Sequence, residues 1–232
     1  MCGRATLSKK PAELEKRYQA KFIQGSLPLK NPLPNYNIAP THWHPVVTND
    51  ARDRIQLFRW GLIPSWAKDH KIGSRLINAR SETILEKPAF KAIHKRRCLV
   101  PFDGFYEWKR HGKQKIPYRI FLPETPVFSV AGIWETWRDS TGQTIPTFTL
   151  LTQPPNELMA GIHNRMPVIL PADQEEVWLD SDLPAKEVVK IIAPLPDHLM
   201  KAYRVSGRVN KVGINDAGLI NAVPDNPPNT LF

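Results

Sequence analysis

Cysteine is scarce in this chain. Two of its 232 residues are cysteine, Cys2 and Cys98, which excludes a disulfide-stapled scaffold and leaves no four-thiolate set for a structural zinc. Long apolar runs are missing too: no stretch approaches the ~18 residues that span a bilayer, so no membrane segment is expected. The opening residues Met1-Cys2-Gly3-Arg4-Ala5-Thr6 lack the apolar segment of a secretion signal. The expected compartment is therefore a reducing cytoplasm. There is no internal repeat and no low-complexity linker.

Acidic residues are in short supply relative to basic ones. Lys and Arg number 32 against 22 Asp and Glu, a net charge of +10 and an isoelectric point near 9.7. That surplus suits a nucleic-acid partner, although a basic surface kept for solubility has the same composition. Hydrophobic residues at 41% and charged residues at 23% are those of a globular chain, not a disordered one. The length fits one large domain or two small ones. The 23 prolines, roughly twice the usual ~5%, predict many short connections. Seven tryptophans offer flat surfaces for a core or for base stacking.

Proline-opened segments at 11–22, 88–94, 154–160 and 171–179 predict helices, the first with Leu14, Tyr18 and Phe22 on one face. Extended runs are more numerous: 45–48, 55–61, 98–102, 105–109, 116–121, 127–134, 146–151 and 168–170. Asp103-Gly104 and His111-Gly112 both carry tight hairpin signals. Strands that follow one another without intervening helices disfavour a parallel βαβ sheet. The expected fold is a single α+β domain over 1–223, a mostly antiparallel and barrel-like sheet with a few short peripheral helices. A Pro/Asn-rich tail over 224–232 is expected to be flexible.

Cys2 stands where removal of Met1 would leave a free 1,2-aminothiol. Its amine, with an ordinary pKa of about 7.7–8.0, and its thiol, near ~8.5, are both partly nucleophilic at neutral pH. The amine can condense with an aldehyde and the thiol can then close a thiazolidine ring, which no internal cysteine can do. Gly3 permits close approach, and Arg4 is a ready phosphate anchor. Cys98, in an apolar run, is expected to be a buried hydrophobe. Further along, Tyr36 to Thr41 reads as a short loop. Trp60 and Trp66 flank a Gly/Pro turn, Trp60 expected in the core and Trp66 available for stacking. Asn78 and Arg80 lie two residues apart, on the same side if extended. Glu107 sits among aromatics, where it serves either a salt bridge or, with a raised pKa, proton transfer. His163 and Arg165 follow a helix. His42 and His44 have no carboxylate or cysteine at ligand spacing, so neither a metal nor another cofactor is expected.

Taken together, these segments resemble the SRAP family (SOS-response-associated peptidases), abasic-site processing proteins of bacteria with a eukaryotic relative. The resemblance runs from Cys2 to about Asn215. It rests on Met1-Cys2-Gly3-Arg4, Tyr36-Asn37-Ile38-Ala39-Pro40, Trp60-Gly61 with Pro64 and Trp66, Asn78-Ala79-Arg80, Gly104-Phe105-Tyr106-Glu107-Trp108, and His163-Asn164-Arg165-Met166-Pro167, in the family's order. It implies a sensor and shield of abasic sites in single-stranded DNA and at single/double-strand junctions, acting as a monomer and nucleoid-associated while on DNA. Cys2 would be the crosslinking nucleophile, Asn78 would orient its amine, and Glu107 and His163 would move protons. Arg4, Arg80 and Arg165 would clamp phosphates, while Asn37, Pro40 and Trp66 shape the strand path. Lyase chemistry, crosslink reversal and self-processing at Cys2 are implied as well. Class II glutamine amidotransferases share Met-Cys-Gly, but they need an oxyanion hole, have no use for the charge, and usually carry an apolar fourth residue instead of Arg4. A non-enzymatic single-strand binder is the other alternative.

Overall fold

The computed structural model describes residues 2–23 and 33–224. The chain runs β1 (Ala5–Leu7), α1 (Pro11–Tyr18), β2 (Lys21–Phe22), β3 (Asn35–Ile38), β4 (Trp43–Thr48), β5 (Ala51–Trp60), β6 (Asn78–Arg80), β7 (Arg97–Phe102), β8 (Gly104–His111), β9 (Gln114–Phe121), β10 (Phe128–Arg138) and β11 (Thr144–Gln153). It continues through α2 (Glu157–Ala160), β12 (Met166–Pro167), β13 (Ile169–Leu170), α3 (Ala172–Leu179), α4 (Ala185–Val188) and β14 (Lys201–Arg204), with short 3-10 turns between. This is an α+β fold of mostly antiparallel strands.

The larger sheet closes on itself. Strands pair in the order β11-β10-β7-β4-β5, and β5 returns to β11 through Arg59↔Thr147 and Trp60↔Phe148. Five strands in a ring cannot alternate direction throughout, so one seam must be parallel, and β5–β11 is that seam. Closure leaves no edge in the ring. The barrel's interior is aromatic: Trp60 stacks on Phe148 at 6.1 Å, and His44 lies 5.1 Å from Phe102. His44 is buried and its Nε2 bonds the Pro101 carbonyl at 2.7 Å. Burial pulls its pKa down to about 4, so it is a neutral core residue.

The second sheet has the order β14-β9-β8-β1-β3, with β1 threaded between β8 and β3 by Ala5↔Phe105 and Ala5↔Ile38. The hairpin expected at Asp103-Gly104 does not form. β7 belongs to the barrel and β8 to the second sheet, so the chain turns a corner at Asp103 and crosses between sheets. The reason is the Asp103 carboxylate, which accepts from the Thr6 hydroxyl, the Ser8 hydroxyl and the Ser8 amide, the last at 2.6 Å. Arg119 approaches it at 3.4 Å. By contrast, His111-Gly112 is a true hairpin, with His111 opposite Gln114 and Gly112 at φ +58.

Three other expectations change. The first helix stops at Tyr18 because Gln19 takes a left-handed φ of 50, and Phe22 pairs with Ile55 as part of β2. The segment 36–41 is not all loop, since Tyr36, Asn37 and Ile38 belong to β3. Pro88–His94 winds as a 3-10 helix kinked at Phe90. Residues 225–232 of the expected tail lie outside the described residues.

Replacing Asp103 by Ala should strand Arg119 without its countercharge and leave unserved the Thr6 hydroxyl on β1 and the Ser8 amide and hydroxyl just past it. A loss of about 2–4 kcal/mol in urea unfolding is expected. Trp66→Ala, on an exposed turn, should stay within about 0.5 kcal/mol of the parent.

Candidate active site

The register of β1 decides where Cys2 goes. Thr6 pairs with Gly104 and Ala5 with Phe105, and the Tyr106 amide donates to the Arg4 carbonyl at 2.9 Å. Carried two residues further, this pairing sets Gly3 opposite Glu107, with Cys2 beside it. The barrel's side of the seam contributes β6, which runs parallel to β11 with Asn78 opposite Leu150 and Arg80 opposite Thr152. Asn78 Nδ2 donates to the Cys2 carbonyl at 2.9 Å. The Asn78 Oδ1 is buried and has no partner among the described residues. His163 arrives from the turn after α2, its amide donating to the Met159 carbonyl at 2.7 Å. His163 Nε2 comes within 3.9 Å of Glu107 Oε2, beyond hydrogen-bond length but close enough to couple the two charges. Nδ1 faces the Arg165 backbone, 3.1 Å from its amide and 3.3 Å from its carbonyl, so Nε2 is the ring nitrogen turned toward Glu107.

All three titratable groups are pushed toward neutrality. Burial raises the Glu107 carboxyl to about 7. Burial, reinforced by the Glu107 charge, raises the Cys2 thiol well above its ordinary value. Burial, with the positive charges of the N-terminus and Arg110 acting in the same direction, outweighs a hydrogen bond to the Arg165 backbone and lowers His163. Burial therefore holds Cys2 as the thiol more firmly than its ordinary pKa implies, and favours the neutral form of His163. Cys98 is buried and its thiol is likewise raised by burial.

The proposed DNA contacts are placed unevenly. Trp66 stands 60% exposed on its turn, whereas Trp60 is fully buried. The turn is set by Gly61 at φ +121, whose would-be Cβ meets the Gly73 carbonyl at 2.6 Å. Arg80 is exposed, and Pro40 lies half-buried before Thr41. Arg4 and Asn37 meet inside the structure instead. Arg4 donates to Asn37 Oδ1 at 2.9 Å and to the carbonyls of Val209 and Asn210, while Asn37 Nδ2 donates to Lys211 and Ile214 carbonyls. Arg165 forks onto Glu82, with Nη2 to Oε2 at 2.9 Å, and also bonds the Thr152 carbonyl. That pairing holds the Glu82 carboxyl down to about 2.

Glu107 and His163 open onto a cleft of about 450 Å³ also lined by Trp108, Arg110, Lys115 and Asn210. Motif reading took in Trp108 only as part of the Gly104–Trp108 run and passed over Arg110, Lys115 and Asn210. The only signal was the cluster of cations, Lys109, Arg110, Lys113 and Lys115, around the His111-Gly112 turn. Such a seam suits nucleophilic chemistry at the second residue, on a partner drawn in by positive charge. Among the described residues no three His, Cys, Asp or Glu side chains group as metal ligands, and no helix is long and apolar enough to cross a membrane.

Residues 1–212 match the family described as SOS response associated peptidase (SRAP). The chain is 42% identical over 226 residues to abasic site processing protein YoaM of Bacillus subtilis (strain 168), covering 96% of this chain and 98% of that one. It is 32% identical over 253 residues to abasic site processing protein HMCES of Gallus gallus, covering 91% of this chain and 75% of that one. An X-ray structure of a protein from Bacteroides thetaiotaomicron superposes with a TM-score of 0.86 at 32% identity, covering 96% of this chain and 100% of the other. The chain belongs to the SRAP family.

The raised Glu107 carries a pH signature. Because its folded pKa lies above its unfolded value, its contribution to stability is complete below the ordinary carboxylate value of 4.5, falls as pH rises toward about 7, and is flat beyond. Glu107→Gln should flatten that decline and be more stable than the parent at mildly alkaline pH, by about 2 kcal/mol. Thermal midpoints recorded across pH for both proteins check this.

Proposed function

We propose that this protein captures abasic sites in single-stranded DNA, and at junctions between single and double strands, by a covalent bond to Cys2 after Met1 has been removed. The observation that carries this proposal is the seat of Cys2. Its carbonyl is held by Asn78 Nδ2 at 2.9 Å, beside an unpartnered Asn78 Oδ1 suited to accept from a freed α-amine, and within the field of a carboxyl poised near neutrality. The relatives named above as abasic site processing proteins support the same assignment of substrate.

The proton traffic closes on Glu107. Abasic deoxyribose is mostly a closed hemiacetal, so the ring must open to expose its aldehyde. The Cys2 amine adds to that carbon, protonated Glu107 gives its proton to the departing hydroxyl, and water leaves with an iminium behind it. The thiol then attacks the iminium carbon and its proton returns to Glu107, forming a thiazolidine with net loss of one water. A carboxyl with a pKa near the working pH suits both transfers. Neutral His163, beside Glu107, takes the proton of the C1′ hydroxyl during ring opening and delivers it to O4′ as the C1′–O4′ bond breaks, and the same transfer runs backward when the ring re-closes. Without thiol closure the iminium would draw off the C2′ proton and expel the 3′ phosphate, which is lyase cleavage; the ring removes that electron sink and shields the strand. Self-processing at Cys2 hydrolyses the Met1–Cys2 amide with one water and releases methionine. The protein acts as a monomer, associated with the nucleoid while on DNA. Exposed Arg80 meets phosphate, Trp66 stacks on or wedges between bases, Pro40 shapes the turn beside them, and Arg165 exchanges Glu82 for phosphate when DNA arrives. Arg4 and Asn37 support the site from within.

Intact mass after incubation with an abasic single-stranded oligonucleotide tests the chemistry. The parent should lack Met1 and gain the DNA mass less one water, stable to denaturant. Cys2→Ala should yield only an adduct that needs a reductant to survive, and a stable adduct from it would overturn the assignment. Glu107→Gln and His163→Ala should slow single-turnover capture by about 10²-fold without loss of binding. Unchanged rates would make both residues structural. Arg80→Ala should make the log–log salt dependence of binding shallower by about 0.7.

A further inference from the structure

Beyond Glu107, one wall of the cleft consists of cations that the chemistry above leaves unused. In the β8–β9 hairpin Arg110 stands directly opposite Lys115, and Trp108 opposite Pro117. Alternation along a strand therefore puts Trp108, Arg110 and Lys115 on one face. Directly opposed residues have Cβ atoms about 4.5–5.5 Å apart, and like charges there are destabilising. Among the described residues neither cation forms an ion pair with a carboxylate, although both are exposed and both line the cleft with Glu107 and His163. Trp108 is fixed at the same rim by a 2.8 Å hydrogen bond from its Nε1 to Asn210 Oδ1. Arg110 also borders the adjoining cleft formed with Gly161, Ile162 and Asn164.

Two opposed cations without a counter-ion, facing a reaction cleft, form a seat that is complete only when an anion enters. We propose that Arg110 and Lys115 together hold the phosphodiester that flanks the reacting sugar, with Trp108 as the fixed wall against which that nucleotide is set. Guanidinium and ammonium supply a fork and a point charge to the same phosphate. The anion relieves their mutual repulsion, so the seat is electrostatically strained when empty and relaxed when filled. This inference rests on the abasic-site reading for the identity of the sugar, but not for the presence of the phosphate.

A cycle between protein and phosphate tests it. The probe is a short single-stranded oligonucleotide with one abasic site, prepared with either a normal phosphodiester or an uncharged methylphosphonate beside that site. With the parent protein, neutralising the phosphate should weaken binding roughly tenfold or more, the size of a charge-assisted contact. With Arg110→Gln/Lys115→Gln the same neutralisation should make no further difference, and the salt dependence should be shallower by about 0.7. Arg110→Lys should restore part of the penalty. The Gln pair should also melt no lower than the parent, because it removes repulsion; a residue of merely structural importance would do the opposite. An equal methylphosphonate penalty in parent and double variant overturns the seat. Running the cycle on undamaged strands as well separates the two claims. Loss of covalent capture with an intact phosphate cycle would refute the abasic-site chemistry alone, whereas capture without the cycle would refute the seat alone.

Discussion

Everything at the active seam depends on a buried carboxylate at a corner. Asp103 is withdrawn from water, and a buried carboxylate must be surrounded by donors. It finds them on Thr6 of β1, on Ser8 just past it, and on Arg119 of β9. Three chain segments distant in sequence are thereby tied to one oxygen pair, at the point where the chain leaves the barrel for the second sheet. Pinning Ser8 and Thr6 sets the register of β1 against β8, and that register delivers Cys2 to Glu107. Arg4 secures the other side of β1 by reaching the Val209 and Asn210 carbonyls and Asn37. The nucleophile lies just ahead of a strand whose neighbours are both bonded, and this rigidity suits a group that must meet its partner in one geometry.

The second physical theme is the separation of charge from chemistry. Inside the seam, burial drives Glu107 and Cys2 up and His163 down, so each group sits close to its uncharged form. Outside, the cations gather: Arg80 on β6, and Arg110 and Lys115 on the hairpin. An anionic strand would be attracted to the rim while the reacting carbon enters a neutral interior, where proton transfers are not opposed by fixed charge. Arg165 stands between these zones. It is forked onto Glu82, whose side chain is partly exposed.

Much of the fold was legible because it rests on local signals. Alternating apolar runs marked most barrel strands, and Gly112 with φ +58 closed its hairpin as its residue type requires. The failures were equally physical. Asp103-Gly104 carries the same turn chemistry as a hairpin, and nothing nearby in sequence says that its carboxylate will be claimed by Thr6 and Ser8. The first helix was read too long because Leu14, Tyr18 and Phe22 keep a helical spacing, yet pairing of Phe22 with Ile55 in β5 outweighs that spacing. Short strands such as β3 and β6 have too few residues to show a period.

The candidate site divides along the same line. The residue types of Cys2, Asn78, Glu107 and His163, the positive charge, and the order of the motifs are properties of the sequence, and they suffice to indicate an aminothiol acting on an anionic partner. Proximity is not among them. That Cys2 lies beside Glu107, that Asn37 and Arg4 turn inward while Trp66 turns outward, and that Arg110 faces Lys115 follow from strand register and from the crossing between sheets. Those are set by contacts between residues as far apart as Arg4 and Val209. The protonation states follow too, since a pKa responds to burial and to neighbours, and only the closed barrel with its second sheet decides what is buried.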